Sequence, residues 1–425
     1  MNTTSGRAAG PSGRFFLCGG GLSAPPAGRA LPERYTRFMA VYLDSNATTR
    51  PTPEVVEAMS WMLKEAWHNP SSIHRPGQAA RHRVELARQS VAKLLNATPR
   101  EIVLTSGAAE SIALAVRGAL AANPERRTFI TTPIEHEAVR DLCRSLAKHS
   151  GISVKLLPAN ADGLVNATDL EGMLDDDVGI VSVMWANNET GAIQPIESIG
   201  RLCRERGVLF HSDATQTVGK IRTDLSPTGT PVDLVSFSAH KFHGPKGAGG
   251  LWIRRGVSVV PQVMGAQEKE RRGGTENTAA IVGMGVAAEQ AMAWIADPAA
   301  AERVRSMRDR LESGILSRVS GAVVNAAAAP RLVNTTNIAF PKLEAEALLL
   351  LLSEKGLCAS AGAACGSGSL DPSPILRAMG VPLELAHGSL RFSLSRETTD
   401  AEIDEALELV PSCVDRLRAS ATSVA

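Results

Sequence analysis

The chain has 425 residues, 44% of them apolar and 21% charged, and its 45 Lys and Arg against 44 Asp and Glu leave a formal charge of +1. That length supports one large and one smaller unit with ample core, and the balanced charge excludes the basic field expected of a nucleic-acid-binding protein. No apolar run approaches the roughly 20 residues of a membrane span, and the six cysteines (Cys18, Cys143, Cys203, Cys358, Cys365, Cys413) form neither a C-x-x-C pair nor a metal-ligand pattern, which predicts a reducing compartment and no metal site.

Residues 1–38 are rich in Gly, Ala, Pro and Arg, with Glu33 as their one acid. The apolar patch Phe15-Phe16-Leu17 stops at Gly19-Gly20-Gly21, too short for a signal-peptide core. The stretch reads as a disordered extension, either a transit peptide or the product of an upstream start, since Met39 precedes the strand-like Val41-Tyr42-Leu43. The expected location is cytoplasmic, or an organelle matrix if the extension is a transit peptide.

Asp44-Ser45-Asn46-Ala47-Thr48-Thr49 forms a polar turn, after which Thr52 and Pro53 start a helix with Val55, Met59, Met62 and Ala66 on one face. The loop from His68 to His74 leads to a second amphipathic helix marked by Val84, Ala87, Val91 and Leu94. From residue 102 strands and helices alternate. Ile102-Val103-Leu104 runs into Ser106-Gly107-Ala108-Ala109-Glu110, Phe129-Ile130 into His136, and Val154 to Leu157 follows. Gly179 to Trp185 runs into Asn187-Asn188-Glu189-Thr190-Gly191, Val208 to Phe210 into Asp213-Ala214-Thr215-Gln216, and Asp233 to Phe237 into Ser238-Ala239-His240-Lys241 and a Gly/Pro-rich loop. This alternation predicts an α/β fold, a mainly parallel sheet with helices on both faces.

Past about residue 300 the order changes to a charged helix (301–316), a strand (337–340), a helix (344–355), the Cys365 loop, a strand (390–394) and a last helix from about Asp400. The predicted division is therefore a large domain over 51–296 and a small α+β domain from 39–50 and 297–425.

Ends of buried strands in such sheets are where ligands dock, so Lys241 is aimed at a pocket, while Lys246 alone reads as a surface lysine. A buried lysine has a lowered proton affinity and attacks carbonyls, and an aspartate such as Asp213 keeps a pyridinium nitrogen protonated. The Ser106–Ala109 turn offers free N–H groups to an anion. As bare residues, His136 is structural and Asn188 and Gln216 are turn formers. Arg391, inside a strand, calls for an anion, either a structural carboxylate or a bound one.

Asp213-Ala214-Thr215-Gln216 at one strand end and Ser238-Ala239-His240-Lys241 at the next resemble the fold-type I pyridoxal phosphate enzymes, and among them the NifS/IscS-type cysteine desulfurases, from about Val41 to Leu417. The resemblance implies pyridoxal 5′-phosphate on Lys241, with Asp213 at its ring nitrogen and His136 against the ring. It implies Asn188 and Gln216 at the phenolic oxygen, and Ala108, Ala109, Ser238, His240 and the partner chain's Thr275 around the phosphate. Arg391 and Asn188 would then hold the carboxylate of L-cysteine. Cys365, in the small-residue run from Ser360 to Ser373, would take its sulfur as a persulfide and pass it to an iron–sulfur scaffold or sulfur carrier. The implied assembly is a homodimer with no nucleic acid or membrane partner. Three departures stand out: Ala109 where a threonine is usual, Gly265-Ala266-Gln267 in place of a double glycine, and alanines around Cys365 where serines are common. A selenocysteine lyase would share nearly all of these residues, an aminotransferase would have no use for Cys365, and a non-catalytic sulfur-transfer scaffold none for the Lys241–Asp213 pair.

Overall fold

The computed structural model of the chain describes residues 41–361 and 371–422; the extension 1–38 and Cys365 lie outside them. Strand β1 (Val41–Tyr42) comes first, then helices α1 (Pro53–Lys64) and α2 (Arg75–Leu94). Thr52 caps α1, its Oγ1 accepting from the Val55 N–H at 3.3 Å with Pro53 at the first helical position, and His74 Nδ1 caps α2 in the same way.

The alternating part is β2 (Ile102–Thr105), α3 (Ala108–Ala122), β3 (Thr128–Thr131), α4 (Glu137–His149), β4 (Ser153–Leu156), α5 (Ala167–Glu171), β5 (Val178–Ser182), α6 (Ile196–Glu205), β6 (Leu209–Asp213), β7 (Leu234–Ser238) and β8 (Gly249–Ile253). Their seven strands form one sheet in the order β2-β8-β7-β6-β5-β3-β4. Every residue of β2, β3, β5, β7 and β8 is buried, as expected of strands covered on both faces. One face packs on α3 and α4 through Leu114, Phe129, Leu142, Ile180 and Leu251; the other carries Val84, Ile130, Ile199, Phe210 and Phe237. The α/β architecture expected from the alternation is present.

Two elements were not legible beforehand. Strand β8 runs antiparallel to both β7 and β2, and its opening Gly249-Gly250 reads as part of the preceding loop. The glycines are there because other atoms are. A Cβ on Gly249 would lie 2.4 Å from the Phe237 carbonyl oxygen and 2.7 Å from Gly107 Cα, and one on Gly250 would lie 2.5 Å from the Phe237 ring. The second is α7 (Thr278–Ile295), Ala- and Gly-rich with no clean apolar stripe, and by length and composition apolar enough to cross a membrane. It packs on α1 and α2 and buries Ala280, Met284, Ala287 and Ala291, so its apolarity is spent on the core.

The remainder is α8 (Pro298–Arg318), β9 (Val323–Val324), β10 (Thr335–Ala339), α9 (Ala345–Glu354), β11 (Leu357–Cys358), α10 (Pro374–Ala378), α11 (Leu383–His387), β12 (Ser389–Ser393) and α12 (Asp400–Thr422). Antiparallel β12-β10-β9 and parallel β1-β11 are its sheets. Val41 and Leu43 share a second core with Met307, Leu311, Phe340, Leu348, Phe392 and Val410. The turn that follows β1 is thereby carried to the ends of the main-sheet strands.

Overpacking at the Gly250–Phe237 contact should cost about 1–3 kcal/mol. Gly250→Ala is expected to lower the denaturant midpoint accordingly, whereas Gly172→Ala, whose new Cβ meets nothing closer than 3.7 Å, should leave it unchanged.

Candidate active site

A cavity of about 450 Å³ opens beyond the C-terminal ends of β2, β6 and β7, and of the predicted site residues that lie among the described ones, all but Thr275 line it. The strands end there because Asp213, Ser238 and Ser106 give way to turns, which leaves side chains and N–H groups pointing at the opening.

Lys241 closes a single 3₁₀ turn after β7, and its Nζ donates to the main-chain oxygens of Asn46 at 2.6 Å and Ala47 at 2.8 Å. Gln216 Nε2 donates to the same Asn46 oxygen at 3.0 Å. A second lysine stands behind the first: Lys220 Nζ donates to Gln216 Oε1 at 2.7 Å and to Asn46 Oδ1 at 3.0 Å. Burial, reinforced by the charges of Lys241 and Arg391, holds Lys220 well below the ordinary lysine value. Neither Asn46 nor Lys220 was singled out from the sequence. The Asn46 turn stood there only as one more polar turn, and nothing in the periodicity around Lys220 points inward.

Asp213 Oδ1 accepts from the Thr215 N–H at 3.0 Å, from Thr215 Oγ1 at 2.5 Å and from Ser236 Oγ at 3.4 Å, while Oδ2 has no partner among the described residues. Behind it lies fully buried His211, with Nε2 3.1 Å from Ser236 Oγ and Nδ1 2.8 Å from Ser182 Oγ. Burial pushes His211 down to about 4, with Asp213 opposing. His136 caps α4, its Nδ1 accepting from the Ala138 N–H at 3.2 Å, so the neutral ring carries its proton on Nε2. Burial lowers His136 below the ordinary histidine value; Asp213 opposes this and Lys241 adds to it. His240, 3.2 Å from Thr48 Oγ1 through Nδ1, is pushed to about 4 by burial and by Lys241 and Lys246.

At the head of α3, Gly107 adopts φ +154°, and Ser238 Oγ accepts from the Ala108 N–H at 2.7 Å. The helix dipole and the free N–H groups make this end a phosphate-sized anion site, to which Ala109 contributes no hydroxyl. On the facing wall, Arg391 already has a structural carboxylate partner. Its Nη2 pairs with Asp44 Oδ1 at 2.5 Å and its Nη1 donates to the Asn188 carbonyl at 3.1 Å. Arg391 Nε and Asn188 Oδ1 are buried without a hydrogen-bond partner among the described residues. The structural ion pair is real, and unmet polar capacity remains beside it.

Thr275 is exposed and does not reach this cavity within one chain. Its loop is tied down by a buried ion pair, Arg88 Nη1 to Glu268 Oε2 at 2.6 Å, and passes through three non-glycine residues at left-handed φ: Glu268 at 49°, Lys269 at 57° and Glu270 at 64°.

The aminotransferase class-V family model matches residues 41–406. A cysteine desulfurase of Cereibacter sphaeroides is 48% identical over 381 residues, spanning 89% of this chain and 97% of that protein. The chain belongs to the class-V aminotransferase family. Among solved structures it resembles a NifS-like protein with a TM-score of 0.81 and 38% identity, covering 89% of this chain and all of that one. It also resembles SspA in complex with cysteine, with a TM-score of 0.74 and 32% identity, over 85% of this chain and all of that one. The relatives put this class-V protein with the NifS-type members.

His211 makes the fold acid-sensitive in a defined direction. Unfolded, its ring takes a proton below about 6.5; folded, it resists protonation down to about 4. The unfolded state therefore binds more protons between these values, and stability falls as pH drops through that window. The loss is about 3 kcal/mol at its fullest. Urea midpoints at pH 7 and pH 4.5 should show a smaller drop for His211→Asn than for the parent; equal drops would contradict it.

Proposed function

We infer that the chain is a pyridoxal 5′-phosphate-dependent cysteine desulfurase, which takes L-cysteine to L-alanine and holds the sulfur as a persulfide on Cys365 for an acceptor protein. The observation that carries this reading is the convergence of Lys241, Asp213 and Arg391 on one cavity in a chain 48% identical to a cysteine desulfurase.

The residues present fit the cofactor. The head of α3 with Ser238 suits its phosphate, the unpartnered Oδ2 of Asp213 its ring nitrogen, and Lys241 its aldehyde carbon. Orphaned Arg391 Nε and Asn188 Oδ1 are groups awaiting a polar ligand. When bound, the cofactor supplies an electron-poor ring that accepts the electron pair left at the substrate Cα.

The chain does the rest. Arg391 and Asn188 would orient the substrate carboxylate; Gln216 would hold the cofactor's phenolic oxygen and His136 would lie against its ring, offering its Nε2–H. Lys241 Nζ moves the Cα proton, with His136 as an alternative carrier in the same cavity. Cys365 acts as a thiolate on the substrate sulfur: an S–S bond forms and the Cβ–S bond breaks. The electron pair of that bond, with a proton, ends on the methyl group of alanine. Cys358 is unsuited to this task, because burial first and Asp44 second push its thiol up.

A homodimer completes the proposal. Val56, Trp61, Leu63, Trp67 and Ile73, on α1 and the loop after it, are 42–96% exposed in the single chain, an apolar face that a second copy would cover. The Thr275 loop would then reach the partner's phosphate. The acceptor, an iron–sulfur scaffold or a sulfur carrier, would meet the persulfide from outside.

Borohydride reduction and peptide mapping should put the pyridoxyl label on Lys241; label on Lys246 would overturn the assignment. Cys365→Ser should still bind the cofactor and change its spectrum with cysteine, yet lose alanine production by ~10³-fold, roughly 4 kcal/mol of barrier. Full alanine production by that variant, with persulfide on Cys358 or nowhere, would sink the mechanism. Mixing Lys241→Ala with Thr275→Ala chains should restore up to one working site per heterodimer; no recovery despite proven subunit exchange would mean that Thr275 serves its own chain.

A further inference from the structure

Glu189 is a buried carboxyl to which the mechanism above assigns no task. It is 3% exposed, and burial raises its carboxyl above the ordinary glutamate value, opposed by Ser373 and by the charges of Arg391 and Arg140. Placing such a group out of water is costly unless it is well partnered. Its partner is one hydroxyl: Ser373 Oγ donates to Glu189 Oε2 at 2.5 Å. Ser373 has no further proton to give, and its oxygen also caps α10 by accepting from the N–H groups of Ile375 at 3.1 Å and Leu376 at 3.3 Å. The cap alone would be served by any serine; the carboxyl is an addition to it.

What matters is where the two ends of this contact sit. Ser373 lies eight residues after Cys365, and Glu189 follows Asn188, whose carbonyl takes hydrogen bonds from Arg391 Nη1 and Asn46 Nδ2. Five residues before Cys365, Ser360 is bonded in both directions to the backbone of the same Arg391, N–H to O at 3.2 Å and O from N–H at 2.7 Å. Both flanks of the Cys365 stretch are therefore moored to one wall, the one formed by Asn188, Glu189 and Arg391. Glu189 is itself fixed at the backbone, its N–H donating to Asn187 Oδ1 at 2.8 Å and its carbonyl accepting from Asn337 Nδ2 at 3.3 Å.

We propose that Glu189 is a positioning residue for sulfur capture: through Ser373 it moors the chain on the C-terminal side of Cys365 to the wall that orients the substrate. This rests on the desulfurase reading above and adds to it a separation of functions. Glu189 touches neither the cofactor cradle at α3 nor Lys241. Its loss should leave cofactor binding intact and slow the thiol's encounter with substrate sulfur.

The test is single-turnover sulfur transfer in the holoenzyme, scored by persulfide on Cys365, beside cofactor affinity and the spectral change on adding cysteine. Glu189→Ala and Ser373→Ala should slow persulfide formation by roughly 10- to 100-fold with the other two readouts unchanged. Ser373→Asp keeps a capping oxygen for α10 but sets a carboxylate against Glu189, and should be slow in the same way. Glu189→Gln, which still accepts from Ser373, should recover most of the rate. Transfer at the parent rate in Ser373→Asp and Glu189→Ala would overturn the proposal. So would a loss that runs in step with cofactor affinity, which would make Glu189 a general structural residue. Cys365→Ser in the same assay separates the two levels: persulfide persisting there would count against the desulfurase reading itself.

Discussion

One asparagine holds the site together. Asn46 donates its N–H to Ser393 Oγ and its Nδ2 to the Asn188 carbonyl and Thr335 Oγ1, and it accepts Gln216 and Lys241 on its carbonyl and Lys220 and Asn334 on Oδ1. No polar atom of the residue is left over. An amide suits this position because it offers donors and an acceptor a few ångströms apart, whereas a carboxylate would only accept and a lysine only donate. Asn46 side chain and backbone together join β12, β10, the Asn188 turn and the two lysines, so the pocket's walls are set relative to one another by a single small residue.

Around that hub the electrostatics are unusually one-sided. Lys241, Lys220 and Arg391 share a restricted volume, and Asp44 is paired directly with one of them, Arg391. Lys220 meets amide oxygens, and burial first, then the charges of Lys241 and Arg391, disfavour its charged form. Such a site is prepared for anionic ligands, and the phosphate and carboxylates of the proposed cofactor and substrate have that character. The histidines do not add to that charge: His211, His240 and His243 are each brought to about 4, so at neutral pH they contribute hydrogen bonds only.

Strand-end residues were legible because a buried apolar run stops visibly where Asp213, Ser238 or Ser106 begins. Helices α1 and α2 were legible through their one-sided periodicity. What stayed hidden was of two kinds. Strand β8 opens on two glycines that look like loop, and α7 lacks a polar face because α1 and α2 cover it. The other kind is long-range pairing: Asn46 with Ser393 spans 347 positions, Lys220 with Asn46 spans 174, and Ser373 with Glu189 spans 184. Local pattern carries no trace of such partners. Arg391 shows the intermediate case, where a charged residue inside a strand demanded an anion and only the fold could supply Asp44.

The span of the Asn46 contacts bears on the order of events during synthesis. Asn46 leaves the ribosome early, Lys220 and Lys241 follow, and Asn334, Thr335, Arg391 and Ser393 come last. Until that final strand has emerged, the carbonyl that receives Lys241 belongs to a turn without its anchor on Ser393 Oγ. The large sheet is complete by Ile253, yet the pocket at its edge has to wait for some 140 further residues. A chain interrupted before β12 would carry the seven main-sheet strands and a pocket turn that lacks its contact with Ser393.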